Sequence, residues 1–348
     1  MTVYQIDPLQ DARWEPFLQR HPQASVFHTR GWLSSLHRTY GYTPFALTTN
    51  PPSSTLTNGL LFCHVNSWLT GRRFVSVPFA DHCDPLFEQV ADLHASLDWL
   101  RTKLGRKSRA HAELRPLTDP GLEHQPRFHP YLEYRLHRLD LRPDMDEVTR
   151  GFDKDSIQRR LRRSQHAGLD FEEGNDPALV NKFYRLQVLT RRRHRIPPQP
   201  LTWFRNLMAA MGSAAKIRVA SKDGALVAAI LTLRHKRTMV YKYGCSDVRF
   251  NRLAGTVQLF WQAIQEAKET GATIFDMGRS DPGNHGLVAF KSRWGATDTP
   301  LVYWRCPSSV ATSLSPHTRG GRIGGYLISH LPERLLIFLG DSLYKHVG

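Results

Sequence analysis

The stretch 273-TIFDMGRSDPGNHGLVAFKSRWG-295 decides how this chain is read. Thr273 to Met277 has the pattern of a buried strand, Gly278 ends it, and Arg279, Ser280 and Asp281 sit where it stops. A Pro/Gly/Asn loop follows, and Phe290-Lys291 leads into Trp294-Gly295. Polar groups at the end of a buried strand, under a loop able to approach a ligand closely, are how open α/β sheets build sites. A lysine beside a buried-type phenylalanine can present its ammonium to an oxyanion partly shielded from water. The plainer alternative is a strand-to-helix turn with an exposed lysine and surface charges.

Outward from this stretch the second half has an α+β pattern. Arg142-Pro143-Asp144 marks a boundary, and Asp144, Asp146 and Glu147 open a helix at its acid-favouring end. Ser156 to Gly168 reads as a strongly basic helix closed by a glycine, and Pro177 to Arg193 as a longer helix with a Leu179, Phe183, Leu186, Leu189 stripe. Ile217 to Ala220, Leu226 to Leu233 and Met239 to Tyr243 form a meander with turns at Lys222-Asp223-Gly224 and His235 to Arg237. Asn251 to Gly271 is an amphipathic helix, and Val302 to Arg305 a last strand. This is not the regular βαβ alternation of a dinucleotide-binding fold, and neither G-x-G-x-x-G nor G-x-x-x-x-G-K-[ST] occurs.

The first half repeats a strand-rich and then helical order, the mark of a faint internal duplication. Arg30 to His37 reads as a short helix carrying Trp32, Leu33 and Leu36. Phe45 to Thr49, Leu60 to Val65 and Arg73 to Val77 read as strands, Val90 to Leu104 as a helix, and Ala110 to Leu114 and Tyr134 to Leu141 as strands. The expected division is 1–142, 143–307 and an apolar, basic helical tail over 308–348.

With 348 residues, 41% of them hydrophobic, the chain has core material for two modest domains. Cys63, Cys83, Cys245 and Cys306 show no C-x-x-C spacing, which predicts reduced thiols in a cytosolic setting and no structural zinc. Asp81-His82-Cys83-Asp84 looks like a ligand cluster, but adjacent strand residues face opposite ways, so no metal is expected. The N-terminus lacks a basic start with an apolar core, so no secretory signal is expected, and no apolar run reaches the length of a spanning helix. A net charge of +16 and a pI near 10.0 predict an anionic partner: nucleic acid, a phosphorylated substrate or an acidic membrane surface.

Two arginine clusters sharpen that expectation. Arg159, Arg160, Arg162 and Arg163 cannot all face a core, so they form either a solvated face or a phosphate contact. Arg191, Arg192, Arg193 and Arg195 end a helix before Pro197-Pro198, at a density beyond what the helix dipole needs. Planar guanidinium groups bind phosphate bidentately, and a pyrophosphate-bearing substrate fits them.

Taken together, these segments resemble the FemAB-like branch of the GNAT acyltransferase superfamily, including its BioF2-like members. The basic R-x-x-R-x-A-x-x-x-G helix of that branch is matched loosely by Arg159 to Gly168, and its T-x-x-R helix end by Thr190 to Arg193. Its D-x-G-R-S … G-L-Y-x-F-K-x-x-W/F-G segment is matched by Asp276 to Ser280 and Gly286 to Gly295. The likeness covers about residues 145 to 305 and is looser before, where Pro78 to Leu86 (PFADHCDPL) resembles the family's substrate-cleft strand end. The resemblance implies two tandem GNAT-like domains with mixed, largely antiparallel sheets, and transfer of an acyl or aminoacyl group to an amine of a cell-envelope intermediate, a peptidoglycan precursor or a polysaccharide. It places Lys291 at the reacting carbonyl supported by Phe290, and Asp81 in the acceptor cleft. Arg193, with Arg192, would meet a substrate phosphate; Arg279 and Ser280 would lie near the donor, with Asp276 and Trp32 completing the substrate-binding set. Gly255 and Thr256 would hold a donor pyrophosphate, although Asn251 to Thr256 keeps only one glycine of the usual phosphate loop. The donor is acyl-CoA or aminoacyl-tRNA; no long inserted helical hairpin of the kind carried by some tRNA-using members is evident, which counts against tRNA.

The tail Arg322 to Leu343 is apolar but interrupted by Pro332, Glu333 and Arg334. It reads as a helix packed back on the fold, or as a segment lying on an anionic membrane at its cytoplasmic face. Outside this family reading stand a nucleic-acid binder whose arginine helices track phosphates and a GNAT-like module that only binds ligand.

Overall fold

The computed structural model describes residues 1–105, 110–306 and 331–347. The chain forms two compact units whose borders fall inside strands, between Tyr134 and Arg135 and again between Thr299 and Pro300. Of the expected borders, 142 lies in a bend just after the strand His129–Asp140, and 307 lies outside the described residues. Tyr344 to Val347 return to the first unit.

The first unit contains β1 (Tyr4–Ile6), α1 (Trp14–Arg20), α2 (Arg30–Tyr40), β2 (Thr43–Thr48), β3 (Leu60–Ser67), β4 (Gly71–Val75), α3 (Val90–Leu104) and β5 (His111–Leu114). Strands β1 to β4 pair antiparallel in chain order, and β5 lies parallel to β4. The helical spacing of Leu93, Leu97, Leu100 and Leu104 puts these leucines on one face of α3, where they meet Phe45, Leu47 and Phe62 of the sheet.

The second unit begins within β6 (His129–Asp140) and runs through α4 (Met145–Arg150), α5 (Arg159–Gln165), β7 (Asp170–Gly174), α6 (Pro177–Arg193), α7 (Leu201–Met211), β8 (Ala215–Lys222), β9 (Ala225–His235), β10 (Thr238–Ser246), α8 (Gly255–Glu269), β11 (Ile274–Ser280) and α9 (His285–Ser292). It closes in β12 (Thr297–Cys306), and α10 (Glu333–Val347) follows the segment 307–330. The strand order β6-β11-β10-β9-β8-β7 is antiparallel except for β10 with β11. Phe260, Val257 and Ile264 of α8 fill the core with Phe275, Met277, Ile230 and Trp294.

Three elements differ from expectation. β11 does not stop at Gly278: its ladder with β6 skips from Asp276↔Arg138 to Arg279↔Leu136, and the bulge carries the strand through Ser280. The basic segment is a π-helical turn, Lys154–Gln158, before the shorter α5. Helix α7 directly follows the proline run at 197–200, and Trp203, Phe204, Leu207, Met208 and Met211 form its buried stripe.

Candidate active site

Strands β10 and β11 pair only over Thr238↔Ile274, Met239↔Phe275 and Val240↔Asp276, although both run on, to Ser246 and Ser280. Past that point each bulges against its outer neighbour, β10 against β9 at Tyr241/Tyr243 and β11 against β6 at Asp276/Arg279. Two parallel strands that stop pairing with each other leave main-chain groups at the carboxyl ends of a sheet, where open α/β sheets place ligands. On β10, a side chain at Gly244 would collide with the Tyr241 hydroxyl. Burial raises the Tyr241 phenol above its ordinary range, so it stays neutral.

The bulge in β11 accounts for the Asp-x-Gly-Arg-Ser spacing. Buried Asp276 accepts a hydrogen bond from the Gly278 amide through Oδ1 at 2.7 Å. Gly278 sits at φ 69°, a region that side-chain-bearing residues enter at a cost. The turn directs the carbonyls of Gly278 and Arg279 at Lys291, whose Nζ donates to both at 2.9 Å. Lys291 is 2% exposed, so the exposed-turn alternative fails. Helix α9, which carries it, starts under an Asn284 cap and is seated by aromatic contacts. Phe290 meets Phe260 edge-on at 5.2 Å, and Trp294 stacks on Phe260 at 5.4 Å.

Around this lysine lies a group that the sequence did not reveal. His137 on β6 is 0% exposed, with the Arg135 backbone as a hydrogen-bonding neighbour of its ring. Its Nε2 stands 4.0 Å from Asp298 Oδ1, which accepts from Arg135 Nε at 2.7 Å. Burial, and then the charge of Lys291, push the imidazole below its ordinary value, so it is neutral at neutral pH. Ser280 pairs with Arg135 across β11 and β6, so its side chain shares a face with Arg135 and, two residues along, with His137. Ser280 is 2% exposed, and its Oγ has no partner among the described residues. In sequence, His137 is one of two histidines in β6, and only the register with β11 singles it out.

The carboxyl end of β10 carries the remaining candidates of this unit. Ser246 N donates to Thr190 Oγ1 at 3.0 Å, tying the end of α6 to the end of β10. Exposed Arg193 reaches the Ser246 carbonyl at 3.4 Å, and Arg192 donates to the Leu331 carbonyl at 3.0 Å. Beyond Asp247 the chain makes a 3₁₀ turn and enters α8 at Ala254, with φ 55° and no side-chain cap. A side chain at Gly255 would come within 2.8 Å of Val227, so only glycine lets α8 start this close to the sheet. The uncapped first turn, including Gly255 and Thr256, can receive an anion. Helix α5 packs beside it, with Ser164 donating to Gln258 of α8 at 2.9 Å, while Arg159, Arg162 and Arg163 stay exposed.

Asp81 and Trp32 belong to the first unit. Trp32 is fully buried, edge-on to Phe27 at 5.0 Å. Asp81 is half-buried, and its carbonyl accepts from the Tyr303 hydroxyl at 2.6 Å. Arg115 anchors this segment, donating to the carbonyls of Val77 and Ala80 at 2.9 and 3.2 Å and to Glu113 at 2.7 Å. Asp84 accepts from the Leu117 amide at 2.6 Å, and His28 Nε2 lies 3.0 Å from the Asp84 carbonyl. Among the described residues no group of three His, Cys, Asp or Glu side chains could hold a metal ion.

Residues 153–292 match the model of the acetyltransferase (GNAT) domain. No curated protein sequence is significantly similar to the chain. Solved structures share the fold at low identity. FemX matches with a TM-score of 0.67 at 14% identity, over 87% of this chain and 97% of its own. L-PGS from Bacillus licheniformis matches with 0.58 at 13%, over 95% and 97%. A tandem GNAT protein from the clavulanic acid biosynthesis pathway matches with 0.55 at 13%, over 89% and 99%. The chain therefore has the α+β fold of tandem GNAT proteins and carries in its second half a GNAT domain, which makes it an acyltransferase of that type.

Proposed function

We propose that this protein transfers an acyl or aminoacyl group to an amine of a cell-envelope intermediate, a peptidoglycan precursor or a polysaccharide. The observation that carries the reading is Lys291, a buried ammonium fixed by two carbonyls of the bulged strand where β10 and β11 stop pairing. Acyl transfer to an amine needs no covalent enzyme intermediate. The amine attacks the carbonyl, the C–N bond forms, the donor's thiol or hydroxyl leaves, and the amine loses one proton. Holding the reactants in line supplies much of the acceleration, and a fixed cation facing the developing oxyanion supplies more. Lys291 takes the oxyanion role, with Phe290 holding its helix in place. Asp81, in the first unit, is the carboxylate candidate, a group able to hold or deprotonate an amine. Arg193 and the first turn of α8 at Gly255 and Thr256 receive phosphate, while Arg192, Arg279, Ser280, Asp276 and Trp32 complete the candidate set.

The donor is acyl-CoA or aminoacyl-tRNA, and the acceptor a phosphate-bearing or lipid-linked molecule. The fold shared with FemX and L-PGS supports a cell-envelope acceptor. The test is incubation of the protein with UDP-linked and lipid-linked envelope precursors and each donor class, with mass spectrometry of the acceptor. An acceptor mass increase dependent on one donor supports the reading. No transfer from any donor, with steeply salt-dependent binding to generic DNA or RNA, would replace it with the nucleic-acid reading.

A further inference from the structure

The turn between β3 and β4 reverses the usual arrangement of a surface turn. Its polar side chains face inward: Ser67 Oγ accepts from the Leu69 and Thr70 amides at 3.1 and 2.9 Å and lies 3.0 Å from His346 Nδ1. Thr70 Oγ1 and Arg73 Nη2 both donate to the His346 carbonyl at 2.8 Å. The apolar pair at the tip faces outward, with Trp68 83% and Leu69 49% exposed. The Trp68 ring stands edge-on to His346 at 5.3 Å, and Val347 beside it is 61% exposed. Among the described residues nothing in the unit covers this patch, yet five polar contacts fasten the turn. A turn this well fastened has no folding reason to keep a tryptophan in water.

The flanking charge points to the occupant. Arg72 and Lys345 are exposed beside the tip, and neither Asn66 to Arg73 nor Tyr344 to Val347 contains a carboxylate side chain. The chain as a whole carries +16. An amphipathic ring at the tip of a turn, apolar neighbours and a basic rim match the boundary of an anionic bilayer, where tryptophan is favoured. We propose that the Trp68–Leu69 turn, with Val347 and the cations Arg72 and Lys345, is a docking surface for anionic lipid membrane. This turn is a candidate separate from the segment 322–343. Of that segment, residues 322–330 lie outside the described ones; in α10 Leu336 and Gly340 are buried, while Leu335, Phe338 and Leu343 are exposed. No helix among the described residues is long and apolar enough to cross a membrane, so contact would be peripheral. The proposal does not rest on the acyl-transfer reading.

Co-sedimentation of the full chain with phosphatidylcholine vesicles, with and without phosphatidylglycerol, tests it. Binding should require phosphatidylglycerol and weaken as salt rises. The double variant Trp68→Ser/Leu69→Ser should bind about tenfold or more weakly. Arg72→Glu/Lys345→Glu should bind as weakly, and circular dichroism should show both variants folded. Equal binding of wild type and the tip variant, or no binding of wild type to anionic vesicles, overturns the proposal. Analytical ultracentrifugation without lipid provides the other arm: a wild-type dimer that the tip variant turns into a monomer would assign the turn to a second copy and also overturn it.

Discussion

The segment Val77 to Asp84 of the first unit and the segment Asp276 to Lys291 of the second both bring charged side chains indoors at a strand end. In the first, each buried group described above has a fixed use. Arg115 is shared between two carbonyls and Glu113, Asp84 holds the Leu117 amide, and His28 sits against Asp84. Burial alone would raise the Glu113 carboxyl, but Arg115 and then Arg305 bring it below its ordinary range. In the second, Lys291 and Asp276 are held, while Ser280 Oγ has no partner among the described residues. Buried polar groups in native proteins are nearly always satisfied, and leaving one unmade costs about 1–3 kcal/mol. Under the proposed function, the contrast is between a polar cluster that builds structure and one arranged for a substrate.

The largest effect that could break this comparison is on stability in the first unit. Arg115→Leu strands Glu113 in a buried site, and breaking such a pair costs about 3–5 kcal/mol. Thermal unfolding should therefore shift down strongly. A melting temperature close to that of wild type would mean that the arginine network is not structural.

The second unit should respond in turnover. Lys291→Met keeps the length of an apolar side chain but removes the ammonium, and loss of one fixed oxyanion donor lowers kcat by about 10²-fold or more. KM should move little, because the interaction belongs to the transition state. Steady-state kinetics on the acceptor identified by mass spectrometry separates the two; a pure KM effect would make Lys291 a binding group only.

How much of this was legible in the sequence differs between the same two regions. Asp276, Gly278, Arg279, Ser280, Phe290 and Lys291 announce themselves by spacing, because a bulge, a left-handed glycine and a helix cap each require particular residue types. That β11 continues past Gly278, and that β10 leaves it after Val240, depends on cross-strand register, which spacing does not encode. Helix α7 hid behind prolines that read as a break, although its Trp203, Leu207 and Met211 repeat was present. Strand β7, Asp-Phe-Glu-Glu-Gly, is an exposed edge without alternation, and only its pairing with β8 makes it a strand.

A smaller effect lies in the pH response. Because the folded His137 resists protonation, the unfolded chain binds a proton first as pH falls below the ordinary value of 6.5. Stability is then full above that pH and is lost as pH falls through the lowered folded value. The groups facing the imidazole are Lys291 and the Arg135 guanidinium, which deepen the effect, and Asp298 and the Arg135 backbone, which oppose it. His137→Leu should flatten the fall in urea midpoint between pH 7.5 and 5.5. An unchanged slope would mean that the ring is not held neutral in the folded state.

The smallest expected change in stability is the most discriminating test. In Ser280→Ala the only atom removed is a buried hydroxyl without a protein partner, so no internal hydrogen bond is lost and the desolvation cost of that group disappears. The unfolding free energy from urea melts should stay within about 0.5 kcal/mol of wild type or rise. Turnover should fall, because a hydroxyl left unpaired beside Arg279 and Lys291 is useful only when substrate supplies the partner. The opposite pattern, a destabilised protein with full turnover, would place Ser280 with Arg115 among the structural polar groups and erase the distinction between the two strand ends.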